Sequence, residues 1–161
     1  MWLLLLLAVL TVVILILIIY EDFRYRLVKL VYYLLLLGLL IFQQWQSAGG
    51  EMVMVQALLN LLYVALLFTL ATLYFYIKNR RFELFQHIGL GDILFLVALA
   101  CWFDPIGFVW FNTASLVISL GLHLVFKRLK GYPHPDTVPL AGMQAVCFVP
   151  VFISASLAGI L

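Results

Sequence analysis

Runs of apolar residues long enough to cross a bilayer core as helix, about 20 residues each, recur six times along the chain, at 2–20, 30–46, 52–77, 88–103, 106–126 and 138–161. None alternates as a barrel strand would, and lipid offers no partner to backbone N–H and C=O groups, so each run predicts a helix. The connections are too short to hold a soluble domain. The pattern therefore predicts an all-α integral membrane protein, a single six-helix domain over 1–161.

Polar positions complete the topology. All nine Lys and Arg residues fall in three connections: Arg24, Arg26 and Lys29 in the first, Lys78, Arg80 and Arg81 in the third, Lys127, Arg128 and Lys130 in the fifth. Basic loops are retained on the cytoplasmic side, which places both termini outside. The first run has no basic residue before it and no small-residue cleavage site after it, so it reads as a permanent helix.

Composition agrees with the pattern: 67% hydrophobic and 10% charged residues leave too little polar surface to cover a soluble globule. A net charge of +2 gives no reason to expect nucleic acid as a partner. Cys101 and Cys147 lie inside apolar runs without metal-site spacing, and they read as small packing residues.

Against that background two carboxyls stand out. Asp22 ends the first apolar run, and Asp92 follows Gly89-Leu90-Gly91 at the start of the fourth. Counting spans puts both at the cytoplasmic membrane edge. Ionisable groups at lipid depth usually face a cavity or a protein partner. Glycines at 89 and 91 remove side chains where another helix can approach. Asp92 also has a plainer reading, as a cap of the fourth helix beside two turn glycines. If the two acids meet, they can share one proton, so that one acts as base towards a water and the other as acid towards an amide carbonyl, with no metal, cofactor or covalent intermediate. A substrate for such a pair must present an extended segment at the bilayer edge. A membrane-inserted precursor with a short cytoplasmic leader does so.

These residues resemble the type IV prepilin peptidases, which together with the archaeal preflagellin peptidases are membrane aspartyl proteases bearing a Gly-x-Gly-Asp motif. Asp22-Phe23-Arg24-Tyr25-Arg26 resembles the family's first motif, Gly89-Leu90-Gly91-Asp92 its second, and Val138-Pro139-Leu140-Ala141-Gly142 the proline-containing region that opens its last helix. The likeness runs over nearly the whole chain. It implies Asp22 and Asp92 as the catalytic pair, and Gly89, Gly91, Arg24, Arg26, Pro139 and Gly142 as residues that shape the site. It further implies cleavage of prepilin or pseudopilin leaders, typically after a glycine, at the bacterial inner membrane. Two departures stand out. Leu94 occupies a place where many members have lysine, so a nearby fixed cation is missing, and Val28-Lys29 stands where many have Ile-Pro. The cysteine-rich insertion of longer, methylating members is absent. An inactive relative serving as an assembly subunit and a proton-coupled transporter are the alternative readings; the transporter would place its acids nearer the midplane.

Smaller expectations attach to other polar residues. Ser115, Ser119 and His123 share one face of the fifth helix, directed into the bundle. His123 falls near the level of the aspartates, where it either tunes them or packs as a hydrogen-bonded histidine. Gln56 and Asn60 pair likewise on the third helix. Arg24 and Arg26 either steady Asp22 or only set topology and meet lipid headgroups. The 127–136 connection, with Gly131, Pro133 and Pro135, is irregular and suited to gating.

Overall fold

A computed structural model describes residues 2–79, 89–126 and 139–159. Among the described residues there are six helices and no strand: α1 (Trp2–Tyr25), α2 (Leu30–Ala48), α3 (Gly50–Asn79), α4 (Leu90–Ala100), α5 (Pro105–Phe126) and α6 (Leu140–Leu157). The 127–136 connection, its gating role, and the basic residues Arg80, Arg81, Lys127, Arg128 and Lys130 lie outside them. All helices but α4 are long and apolar enough to cross a membrane.

The exception alters the expected six spans. Where the pattern predicts a crossing over 88–103, α4 has only 11 residues, about 16 Å at 1.5 Å per residue and about half a hydrocarbon core. Its brevity is compensated by its surroundings. It touches α2, α3 and α6, and Phe95, Leu96, Ala98, Leu99 and Ala100 are buried. Hydrophobicity alone cannot distinguish a helix covered by other helices from one covered by lipid.

The end of α4 explains how irregular backbone survives there. Carbonyls at a helix C-terminus lack intrahelical donors and must be satisfied by protein where water is excluded. Asn60 of α3 supplies them: its Nδ2 donates to the Ala100 carbonyl at 2.9 Å and to the Phe103 carbonyl at 2.8 Å. The chain then turns through Cys101–Phe103 and restarts at once. Asp104 caps α5, accepting from the Gly107 N–H at 3.0 Å, with Pro105 at the first helical position, where its missing N–H costs little.

Polarity is inverted relative to a soluble protein. Leu and Val side chains such as Leu58, Val117 and Leu120 are exposed, whereas Thr11, Gln43, Asn60, Asn112, Ser115 and Gln144 are buried. A lipid-facing bundle requires this, because lipid competes for apolar side chains but not for hydrogen bonds. Gln43 of α2 donates to Thr11 of α1 at 2.8 Å, and Gln144 of α6 donates to Asn112 and Ser115 of α5 at 3.3 and 3.4 Å. The expected inward face of α5 is present, with Ser115, Ser119 and His123 all buried and Asn112 extending it. Apolar packing fills the rest. Trp102 and Phe103, after α4, meet Phe108 and Phe111 of α5 and Phe148 and Phe152 of α6 in one aromatic cluster.

The partners of Gln56 and Asn60 differ, and so should their value. Asn60→Leu is expected to cost about 1–2 kcal/mol, leaving two carbonyls without a donor. Gln56→Leu should change stability by less than about 0.5 kcal/mol, because the buried Gln56 Oε1 has no partner among the described residues to lose. Reversible unfolding in mixed micelles checks the contrast, and equal losses would contradict it.

Candidate active site

The site forms where α6 begins. Pro139 precedes the helix without a side-chain cap, and its carbonyl accepts the Met143 N–H at 3.0 Å, closing the first turn. Because proline has no N–H, the unpaired donors of the helix start fall to Leu140, Ala141 and Gly142. Two aspartates from elsewhere take two of them. The Ala141 N–H donates to Asp92 Oδ1 at 2.9 Å, and the Gly142 N–H donates to Asp22 Oδ2 at 2.6 Å. The carboxyls from α1 and α4 thus rest on consecutive amides of one helix, where the dipole favours negative charge.

Both acids sit at helix ends for reasons legible locally. Asp22 lies in the last turn of α1 and is 8% exposed. Asp92 is the third residue of α4, half-buried, and its carboxylate also reaches back to the Gly89 backbone N–H. This is half of a capping box. Capping and site formation therefore coincide in Asp92: the same group ends its own helix and bonds across to α6. The charge of Asp22 acts on Asp92 directly.

Each glycine of the motifs opens a particular space. A Cβ on Gly142 would come within 2.9 Å of Asp22 Oδ2 and 3.0 Å of the Phe23 ring. On Gly91 it would meet the Tyr33 hydroxyl at 2.6 Å, and on Gly89 it would crowd Asp92 Oδ2 at 3.3 Å. Pro139 contributes backbone alone.

The two arginines of the first motif separate. Arg24 stays exposed, its guanidinium over the rings of Tyr20 and Tyr25 and bonded to the Tyr20 hydroxyl. Arg26 turns inward. It follows α1 in the left-handed region, φ 55°, its Nε and Nη1 are buried, and its charge acts on both Asp22 and Asp92. A fixed cation is therefore present beside the pair, although Leu94 packs against the apolar core where many prepilin peptidases have lysine. Lys29 remains at the surface in an ion pair with Glu21 at 3.5 Å. His123 is buried on α5; among the described residues the charges that act on the two aspartates include that of Arg26 on both and that of Asp22 on Asp92.

Tyr33 of α2 carries no sequence signal. It is buried beneath Gly91, and the charges of Asp22, Asp92 and Glu21 all act on it. Tyrosine spacing along α2 gives no hint, since Tyr32 beside it is partly buried and packs against the apolar core. Among the described residues no three His, Cys, Asp or Glu side chains gather as metal ligands. A surface hollow at the far end of α2, lined by Ala48, Gly50 and Glu51, brings no second acid near Glu51.

No family model, curated protein or solved structure matches the chain. At the start of α6 the structure joins two acids, one cation and two consecutive backbone amides.

Crowding at Gly142 is testable without an activity assay. Gly142→Ala is expected to lower stability by about 1–3 kcal/mol, as overpacking does. Gly38→Ala, on α2 with nothing within 4 Å of the new Cβ, should be neutral or stabilising by up to about 1 kcal/mol. Thermal unfolding in detergent compares them; an unaffected Gly142→Ala protein would contradict the close approach of α1 to α6.

Proposed function

We propose that the chain is an intramembrane aspartyl endopeptidase that removes the leader of prepilin-like or pseudopilin precursors. The observation that carries this reading is the seating of Asp22 and Asp92 on the adjacent Ala141 and Gly142 amides, which brings two acids from distant parts of the chain to one place. Resemblance of the three motifs to prepilin peptidases supports the substrate class. The segregation of basic residues supports an orientation with both termini outside and the acids at the cytoplasmic edge of a bacterial inner membrane.

In this reading one aspartate is ionised and the other protonated. Water attacks the carbonyl carbon of the scissile peptide, and its proton passes to the ionised carboxylate. The carbonyl π pair moves to oxygen, which takes the proton of the second acid. Collapse restores the C=O, breaks the C–N bond and delivers a proton to the departing amine. Arg26 offsets charge on the pair. The α6 amides hold the carboxylates by oxygens that an amide side chain can also offer, so neutral isosteres keep the architecture.

Position at a helix end also separates this reading from a transporter. Discontinuous helices with acids near the midplane suit transport, whereas Asp22 lies in the last turn of α1. Co-expression with a type IV prepilin, with leader removal followed by gel shift, tests the proposal. Asp22→Asn and Asp92→Asn are each expected to reduce cleavage by about 10³-fold or more with unchanged protein level and unfolding temperature. Normal cleavage by either variant, or none by the wild type, would refute it.

A further inference from the structure

Both aspartates have backbone donors, and a phenol from α2 lies against the turn that carries Asp92. Tyr33 is 3% exposed, and buried phenols ordinarily find a hydrogen-bond acceptor. The Tyr33 hydroxyl lies at the edge of this buried ring that is turned to α4. It is not stranded in an apolar region: it lies over the bare Cα of Gly91, next in sequence to Asp92, and the charges of Asp22 and Asp92 both act on it. The phenol is therefore close enough to both carboxylates for their charges to act on it, with its hydroxyl beside the turn that carries Asp92. A donor held beside two acids is placed to stabilise negative charge that develops there.

We propose that Tyr33 is a third functional group of the site, its Oη–H donating a hydrogen bond to the scissile carbonyl oxygen as negative charge gathers on it. This rests on the peptidase reading and adds a residue that no motif marks. Tyr33 keeps its proton throughout. The water proton still goes to the ionised aspartate, the oxyanion is still protonated by the other, and the phenol only lowers the charge that the oxygen bears between those events. Gly91 then has a chemical reason: a methyl group there would occupy the space of the hydroxyl and push the ring aside. Burial of the ring against α4 fixes the hydroxyl, as a preorganised donor requires.

Tyr33→Phe keeps the ring and deletes the donor. With purified protein and a full-length type IV prepilin in detergent micelles, we expect kcat to fall about 10²–10³-fold, KM to stay within about threefold, and the unfolding temperature to be retained. Unchanged kcat, or a loss confined to KM, overturns the role. Should the Phe variant fail to fold, Gly91→Ala decides the matter, because it retains the phenol but displaces it: a drop in kcat of about tenfold or more is expected, and wild-type kcat overturns the proposal. Failure of the wild type to cleave sinks the peptidase reading and Tyr33 with it, whereas equal cleavage by wild type and Tyr33→Phe sinks Tyr33 alone.

Discussion

The start of α6 and the two aspartates need each other. A helix beginning among other helices exposes N–H groups that cannot turn to water, and Pro139 offers no side chain to cap them. Two carboxyls buried at the same level need donors, since an unpaired buried charge is among the most costly groups a protein can hold. Ala141 to Asp92 and Gly142 to Asp22 answer both requirements with two hydrogen bonds. The alignment of α1, α4 and α6 follows, because each contributes a backbone or side-chain partner to that one junction.

Close approach is the condition for those bonds. Gly142 lets α1 come within contact of α6, and Gly91 lets the α2 phenol lie against α4. Lipid supplies no hydrophobic drive towards such proximity, so packing of small residues and interhelical hydrogen bonds must maintain it. Below the site the polar contacts of Gln144 with Asn112 and Ser115, and of Gln43 with Thr11, tie the helices in pairs. The aromatic cluster around Phe148 fills the space left where α4 stops short.

Much of this was legible in the sequence, and what was not has identifiable causes. Length and hydrophobicity mark the long helices, and a carboxyl at each end of an apolar run marks Asp22 and Asp92, because both signals are local. The inward face of Ser115, Ser119 and His123 follows from helical spacing. Whether α4 crosses is not legible in its hydrophobicity, since burial by protein and burial by lipid select the same residues. Asn60 stands out as a polar residue within an apolar helix, but its targets, the Ala100 and Phe103 carbonyls, depend on where α4 ends. Arg26 is indistinguishable from Arg24 by type, and only the left-handed turn after α1 directs it inward. Tyr33 is invisible for a similar reason: its meaning comes from Gly91, 58 positions later in the chain, and one buried aromatic on an apolar helix resembles any other.

The pairing of each acid with its own amide is the claim on which the rest stands, and it can be observed without substrate. Backbone amide spectra of ¹⁵N-labelled protein in micelles, recorded for the wild type and for Asp22→Ala and Asp92→Ala, read it directly. The Gly142 amide proton should move upfield in Asp22→Ala and the Ala141 amide proton in Asp92→Ala, each change being largest at its own partner. Amides 141 and 142 that ignore both substitutions would place the two carboxyls elsewhere and contradict the account.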